Sequence, residues 1–397
     1  MDVLTKLTDG THHSPQSFPK GKYKYVTAKN IKSEGVLLDD ITYVDEATHS
    51  EIYSRCNPEF GDILYIKDGA TTGVVAINNL NEQFSLLSSV ALLKPSKLIL
   101  NKYLFYFLQS SYCYETVRAS MKGVGITRIT LKQISDWDIP IPPIKEQHRI
   151  VNSIDSLFVQ IESISAGKSQ LKILLGQYKS TILNLALSGK LVSQNVSDEP
   201  AIQLLRKLNP DYRASHNRHY ENVPNGWQFV KIKDIFTINP KNKVDDDLEA
   251  GFVSMSMIDE SYRDSYQYEK KKWALIKTGF THFKDGDIAV AKISPCLENR
   301  KSMILKNLPN GIGAGTTELH VFRSAIVHPK FALYFFKSDY FINHCVGTFN
   351  GVVGQQRVGK NIIEDIIFPL PPYEEQKRIS EKITHIFQCL DKITAEL

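Results

Sequence analysis

Two loops carry residue types that grip a phosphate backbone. One reads Lys122-Gly123-Val124-Gly125-Ile126-Thr127-Arg128, the other Gly351-Val352-Val353-Gly354-Gln355-Gln356-Arg357. Glycines let the main chain approach a phosphate closely, and an arginine neutralises it. Glutamine amides suit base edges. The competing reading of each loop is a plain glycine turn with a solvated arginine. Lys67 and Lys292 end two similar apolar runs, just before Asp68-Gly69 and Ser294-Pro295. Thr11 and His12 lie in Asp9-Gly10-Thr11-His12-His13, and Lys241 and Lys243 flank Asn242. Asn299 and Arg300 precede Lys301. The candidate contacts for a nucleic acid are therefore Thr11, His12, Lys67, Lys122, Gly125, Arg128, Lys241, Lys243, Lys292, Asn299, Arg300, Gln355, Gln356 and Arg357.

Other chemistry lacks its residues. The chain has neither a G-x-x-x-x-G-K-[ST] phosphate loop nor an H-E-x-x-H pair. Leu370-Pro371-Pro372-Tyr373 is similar to the (Asp/Asn)-Pro-Pro-(Tyr/Phe) motif of adenine N6-methyltransferases, but Leu370 cannot accept a hydrogen bond from an adenine amino group. His216-Asn217-Arg218-His219 hints at a histidine nuclease without a metal-ligand constellation around it. Asp287 and Glu298 are conceivable metal carboxylates, yet the first half of the chain has no counterpart of Glu298. The five cysteines lie far apart without a C-x-x-C pair, which reads as reduced thiols in a cytoplasmic protein. No catalytic residue, metal or cofactor is expected. The start, MDVLTKLTDG, lacks a basic region followed by an apolar stretch, and no run of about 18 apolar residues reads as a membrane span. Lys and Arg number 48 against 43 Asp and Glu, a mild excess that permits a nucleic-acid partner without demanding one. An apolar content of 42% supplies ample core for several domains.

What must position these loops is a long internal repeat. IPIPPIKEQHRI at 139–150 matches FPLPPYEEQKRI at 368–379, an offset of 229 that also pairs Gly125 with Gly354, Arg128 with Arg357 and Ile134 with Ile363. NKYLFYFLQS (101–110) matches PKFALYFFKS (329–338) at 228, and FGDILYIKDG (60–69) matches DGDIAVAKIS (285–294) at 225. Small drifts of this kind are what surface loops tolerate. The second copy opens with VPNGWQFVKIKDIFTINP (223–240), whereas MDVLTKLTD aligns with the interior of that segment, so the first copy is expected to lack about ten residues. GDILYIK and GDIAVAK predict short strands launched by a Gly-Asp turn. The aromatic stretches 102–121 and 330–346 predict one helix each, with Tyr and Phe in the core.

Each Pro-Pro pair leads into a helix. Ile150, Ile154, Leu157, Ile161, Ile164, Lys168, Leu171, Leu175, Tyr178, Ile182 and Leu185 recur in alternating steps of four and three. Ile379, Ile383, Ile386, Leu390, Ile393 and Leu397 repeat the pattern. These are heptad seams that call for a partner helix, and two in one chain supply each other. The alternative is two amphipathic helices, each packed on its own domain. The first seam spans about 54 Å at 1.5 Å per residue. The second is roughly half as long, so antiparallel pairing leaves Leu175, Tyr178, Ile182 and Leu185 uncovered. The expected organisation is a first domain at 1–141, a helix at 142–189, a linker at 190–222 in which 201–208 could be helical, a second domain at 223–370 and a short helix at 371–397.

The paired IPIPPIKEQHRI and FPLPPYEEQKRI, each running into a heptad helix, resemble the specificity subunit of Type I restriction–modification enzymes. DGTHHSP, IKDGATTG (66–73), AKISPCLENRK (291–301), TTELHVFR (316–323) and GQQRV (354–358) resemble segments of that family's target-recognition domains. The resemblance implies an α+β chain in which two homologous mixed α/β target-recognition domains are joined by two long antiparallel coiled-coil helices. It implies double-stranded DNA with a bipartite site as ligand. It further implies modification (methyltransferase) subunits that methylate adenine, restriction (translocase and nuclease) subunits that cut, and a non-catalytic role for the chain itself. The alternatives are a structural coiled-coil adaptor, a half-subunit needing a complementary copy, or a self-contained enzyme whose cofactor loop is missing from the sequence.

Overall fold

The computed structural model describes residues 1–120, 128–212, 224–348 and 356–397. The chain forms two compact units, Met1–Ser165 and Ala166–Leu397. In the first, a mainly apolar sheet has the strand order Thr5–Asp9, Val90–Pro95, Ile63–Ile66, Val75–Ile77. In the second, the same order is built from Thr237–Ile238, Leu319–Arg323, Ile288–Ala291 and Ser302–Ile304. The central strands Ile63–Ile66 and Ile288–Ala291 are buried along their whole length, which is why they read as continuous apolar runs. Each is launched by the expected Gly-Asp turn. Gly61 and Gly286 both have positive φ (87° and 90°), open to glycine at no steric cost. The Asp62 carboxylate accepts from the Glu59 amide and that of Asp287 from the Lys284 amide, both at 2.8 Å.

A second sheet also repeats. Tyr23–Val26 lies antiparallel to Thr42–Val44 and parallel to Phe84–Leu86. Glu249–Val253 lies antiparallel to Glu269–Lys272 and parallel to Ile312–Gly315, with Thr281–Lys284 added beyond it. A strand pair, Gln228–Lys231 with Ile367–Leu370, occurs in the second unit alone among the described residues.

The aromatic stretches depart from expectation. Each is two helices, Asn101–Leu108 then Ser111–Ser120, and Pro329–Phe336 then Asp339–Val346. A serine hydroxyl breaks each: Ser110 accepts from the Cys113 amide and Ser338 from that of Phe341, both at 3.2 Å. Phe331, Phe335 and Phe336 are buried, as core aromatics should be.

The Pro-Pro pairs lead into helices Ile144–Leu187 and Tyr373–Glu396. Within the second unit the two run in opposite directions: the Lys168 ammonium donates to the Leu397 carbonyl at 3.2 Å, while Lys179 pairs with Asp391 further back. The terminal helix turns Ile379, Ile383, Phe387 and Leu390 inward, with Phe387 in place of the expected Ile386. Tyr334 and Tyr262 close over Phe387, so this helix packs on its own domain as well. The uncovered part of the seam is also shifted. Ile182 is buried and, with Leu183 and Ala186, joins the second unit's core beside Ala201, Leu204 and Leu205 of the short helix Ala201–Leu208. Leu175 and Leu187 pack partly against the same core, and Leu185 is half-buried. Tyr178 is exposed as expected, and the other exposed seam residues are Leu157, Ile161, Ile164 and Leu171. No helix of the described residues is long and apolar enough to cross a membrane.

The repeated glutamine explains the repeated motif. Gln147 and Gln376 are both fully buried. Gln147 accepts from the Leu100 amide and donates to the carbonyls of Leu98 and Pro142, each at 2.9 Å. Gln376 accepts from the His328 amide at 2.7 Å and donates to the Pro371 carbonyl at 2.9 Å. Leu100 and His328 are the residues just before the first aromatic helices, so one amide ties two helix starts together. A leucine at 376 would strand a buried donor and acceptor, each costing about 1–3 kcal/mol. Gln376→Leu should therefore destabilise the second unit by roughly 3 kcal/mol in urea unfolding, with the exposed Gln203→Leu within about 0.5 kcal/mol of the parent.

Candidate nucleic-acid interface

At one end of the first unit's apolar sheet the strand ends bring charged residues together. Asp9, at the end of Thr5–Asp9, is buried. It pairs with Arg55 at 2.7 Å, His12 at 3.5 Å and Lys67 at 3.6 Å. Lys67 also donates to Asp68 at 3.2 Å, and Asp68 pairs with Arg128 at 3.2 Å. The result is a chain of alternating charge, Arg128–Asp68–Lys67–Asp9–Arg55. Its outer members are open: the side chains of His12, Arg55 and Arg128 are 47%, 53% and 56% exposed. Lys67 is only 2% exposed, so it is not the surface cation expected of it. It sits between two carboxylates that would otherwise repel, and it fixes the residues that do reach solvent. Thr11 leads the loop, its amide donating to Leu86 O at 2.8 Å and its hydroxyl accepting from His13 N–H at 3.2 Å.

The second unit repeats the backbone of this site with different side chains. Arg128 forms an isolated antiparallel β-bridge with Asp68, and Arg357 forms one with Ile293, the matched position. The Ile129 amide donates to Lys67 O and the matched Val358 amide to Lys292 O, both at 2.9 Å. Arg357 is again held by a carboxylate, here Glu318, through Nε at 2.8 Å and Nη2 at 2.9 Å. Such half-exposed pairs contribute little stability, about 0–1 kcal/mol, so exchanging the carboxylate for a phosphate is cheap. Lys292 is half-buried at the end of its strand, and the Gln356 carbonyl accepts from the Ser294 amide at 2.8 Å. Lys122, Gly125 and Gln355, and the decoy 216–219, lie outside the described residues.

Lys241 and Lys243 are exposed on a loop after Thr237–Ile238, the position that Thr11 and His12 hold in the first unit. His282 pins that loop. Its Nδ1 accepts from the Asn242 amide at 3.1 Å and its Nε2–H donates to Lys277 O at 2.8 Å, and burial lowers its pKa. Arg300 corrects the expectation in the other direction. It has φ 58°, pairs with Asp339 and lies 5.0 Å from the Tyr262 ring, while its carbonyl accepts from Lys337 at 2.7 Å. It is bound up in holding its own loop, and the adjacent Asn299 is the exposed side chain there. Lys337 is fully buried, and burial brings its pKa down to about 7. Of the conceivable metal carboxylates, Asp287 is taken up by Arg323 at 2.7 Å and Glu298 by Ser294. No His, Cys, Asp and Glu group among the described residues could hold a metal ion.

Sequence reasoning missed Arg55, Asp68, Glu318, His282 and His320. Asp68 adjoins a matched lysine and could have been found that way. Arg55 ends the helix Glu46–Arg55 and carries no spacing signal.

His320 underlies the Arg357 segment. Its Nε2–H donates to Val358 O at 3.1 Å, which leaves Nδ1 to accept from Asn239 at 3.3 Å. Burial pushes its pKa down to about 4. The folded state therefore favours the neutral ring. That stability is fully present above the unfolded value near 6.5 and is lost as pH falls towards 4. The contribution is on the order of 3 kcal/mol. Urea unfolding of the second unit should show this loss between pH 7 and pH 4, and His320→Gln should flatten that slope. Ala91 holds the matched position, so the first unit lacks this dependence.

Comparison with known proteins agrees with the repeat. A family model for the Type I restriction modification DNA specificity domain matches residues 3–172 and 224–397. The Type I restriction enzyme EcoAI specificity subunit of Escherichia coli is 39% identical over 234 residues, covering 54% of this chain and 40% of that protein. The EcoEI specificity subunit, also of Escherichia coli, is 38% identical over 234 residues and covers 39% of its own length. The chain thus spans about two fifths of the length of these two relatives. The EcoKI specificity subunit of Escherichia coli K12 is 24% identical, with 100% of this chain and 82% of that protein aligned. In fold, the HsdS subunit from Thermoanaerobacter tengcongensis superposes with a TM-score of 0.58 at 15% identity, covering 95% of this chain and 86% of that one.

Proposed function

The chain belongs to the Type I restriction modification DNA specificity family, and from that premise we propose that it reads a bipartite site on double-stranded DNA and directs partner subunits to it. The carrying observation is the matched arginine, Arg128 and Arg357, set at the same isolated β-bridge of each unit and held by a carboxylate. Two such units in one chain supply two readers, each facing one half-site. The exposed side chains of Arg55, His12 and Arg128 serve the first reader. Lys241, Lys243, Asn299, Gln356 and Arg357 serve the second. Residues 1–141 and 223–370 are the reading domains, and the helices at 142–189 and 371–397 join them as a spacer between half-sites.

Adenine methylation and DNA cleavage belong, in this reading, to modification and restriction subunits docked on the chain in the cytoplasm. The chain itself selects the site and performs no chemistry. The similar proteins are specificity subunits of Type I restriction enzymes, which supports this division of labour.

Phosphate contact has a measurable signature in salt. Arg128→Ala and Arg357→Ala should each weaken specific binding by the assembled complex and lower the salt slope by about one contact. Lys67→Ala should instead lower the unfolding midpoint of the first unit, since its partners are two internal carboxylates. Fluorescence anisotropy on duplex DNA at several salt concentrations checks the arginine variants, and urea unfolding checks Lys67→Ala. An unchanged slope in both arginine variants would return those residues to the turn reading. Methyl transfer from labelled cofactor by the pure chain alone would refute the division of labour.

A further inference from the structure

The end of each unit that carries Arg128 or Arg357 has a further edge. In the first unit the Lys67 amide donates to Ser89 O at 2.9 Å and the Leu87 amide to Val26 O at 3.1 Å. In the second the Lys292 amide donates to Glu318 O at 2.9 Å and the Thr316 amide to Val253 O at 3.1 Å. A three-residue crossing, 87–89 or 316–318, thus joins the apolar sheet to the inner strand of the second sheet. Beyond that strand the chain turns at once into a short 3-10 helix, Ala28–Asn30 or Met255–Met257.

The two turns share a backbone and are braced differently. The Asn30 and Met257 amides donate back to Thr27 O and Ser254 O, at 3.0 and 3.2 Å. Their carbonyls accept from the amides of Leu37 and Gln267, at 2.8 and 2.9 Å. In the first unit the buried Asn30 carboxamide accepts from the Thr27 amide at 3.1 Å and donates to Leu37 O at 3.3 Å. In the second unit Lys301 donates to Met255 O at 3.3 Å. The second turn therefore lies between the Asn299 loop and the crossing whose Glu318 holds Arg357.

In each turn the middle side chain alone is exposed, Lys29 in one and Ser256 in the other. Arg55, Lys67 and Arg128 all sit against carboxylates, whereas Lys29 forms no ion pair among the described residues. The Ser256 hydroxyl lies 3.0 Å from that of Ser254. A phosphate contact common to both units keeps its charge, as the matched arginines do. The middle of the turn exchanges a cation for a neutral hydroxyl on the same backbone, which is what a position that reads different bases requires.

We propose that these turns are base-reading elements of the two domains, with Lys29 and Ser256 as specificity-determining side chains. The inference rests on the DNA-reading function and deepens it: Arg128 and Arg357 fix the register on the phosphates, and the turn beside each meets a base edge. Lys29 has donors only, so it selects the N7 and O6 acceptors of guanine. Ser256 both donates and accepts, and its neighbour Ser254 orients it.

The test assembles the parent chain, Lys29→Ala and Ser256→Ala with partner subunits and maps methylated adenines genome-wide. Lys29→Ala should relax one guanine position of one half-site, on the order of tenfold in relative methylation, and leave the other half-site unchanged. Ser256→Ala should relax one position of that other half-site alone. An unchanged motif in either variant, while Arg128→Ala and Arg357→Ala still weaken binding, would overturn the proposal and leave the DNA-reading function standing. So would binding by Lys29→Ala that is weakened equally on all duplexes with a salt slope lower by about one contact, the mark of a phosphate contact. No effect in the arginine variants either would strike that function and the proposal with it.

Discussion

A single buried amide carries much of this architecture. A glutamine at the fourth residue of each long helix satisfies backbone groups at the start of an aromatic helix and at the Pro-Pro lead-in. Burying an amide is costly unless its donors and acceptors are matched, and a matched amide admits few geometries. The helix therefore leaves each domain at a fixed angle. Around it the contacts repeat: Tyr106 bonds Asp155 on the helix, and the matched Tyr334 bonds Thr384. The side chains differ, but the tyrosine hydroxyl reaches the same helical position.

That joint separates two requirements. The sheet core and the helix junction are alike in both units, while the loops at the strand ends diverge. The first unit gathers Arg55, His12 and Arg128 around two carboxylates and a buried lysine. The second holds Arg357 by Glu318 above His320 and sets Lys241 and Lys243 on a loop pinned by His282. A common frame with different exposed groups is what two readers of different half-sites require.

How far the sequence reached follows from which signals survive without contacts. The Gly-Asp strand starts and the Pro-Pro helices were legible because each is a local signal, and the repeat because both copies stand in one sequence. The splitting of the aromatic stretches was less so, although Ser110 and Ser338 occupy matched places and cap the second helices. Lys67 and Arg300 were read as surface cations because charge alone does not reveal burial. Only the fold puts Asp9 and Asp68 on either side of Lys67, or Asp339 and Tyr262 against Arg300. The uncovered seam was misplaced for a similar reason. Counting heptads cannot know that the last turns of the central helix, with Ile182 and Leu183, are absorbed into the second unit's core.

The account stands on each unit reading its own half of the site. Exchange of residues 223–367 for the corresponding segment of a relative with a different specificity tests this most directly. Cells carrying the chimaera with its partner subunits would have their methylated adenines mapped genome-wide. The account predicts that one half-site changes to the donor's while the other stays as it was. Change in both halves, or retention of both in an active complex, would contradict it.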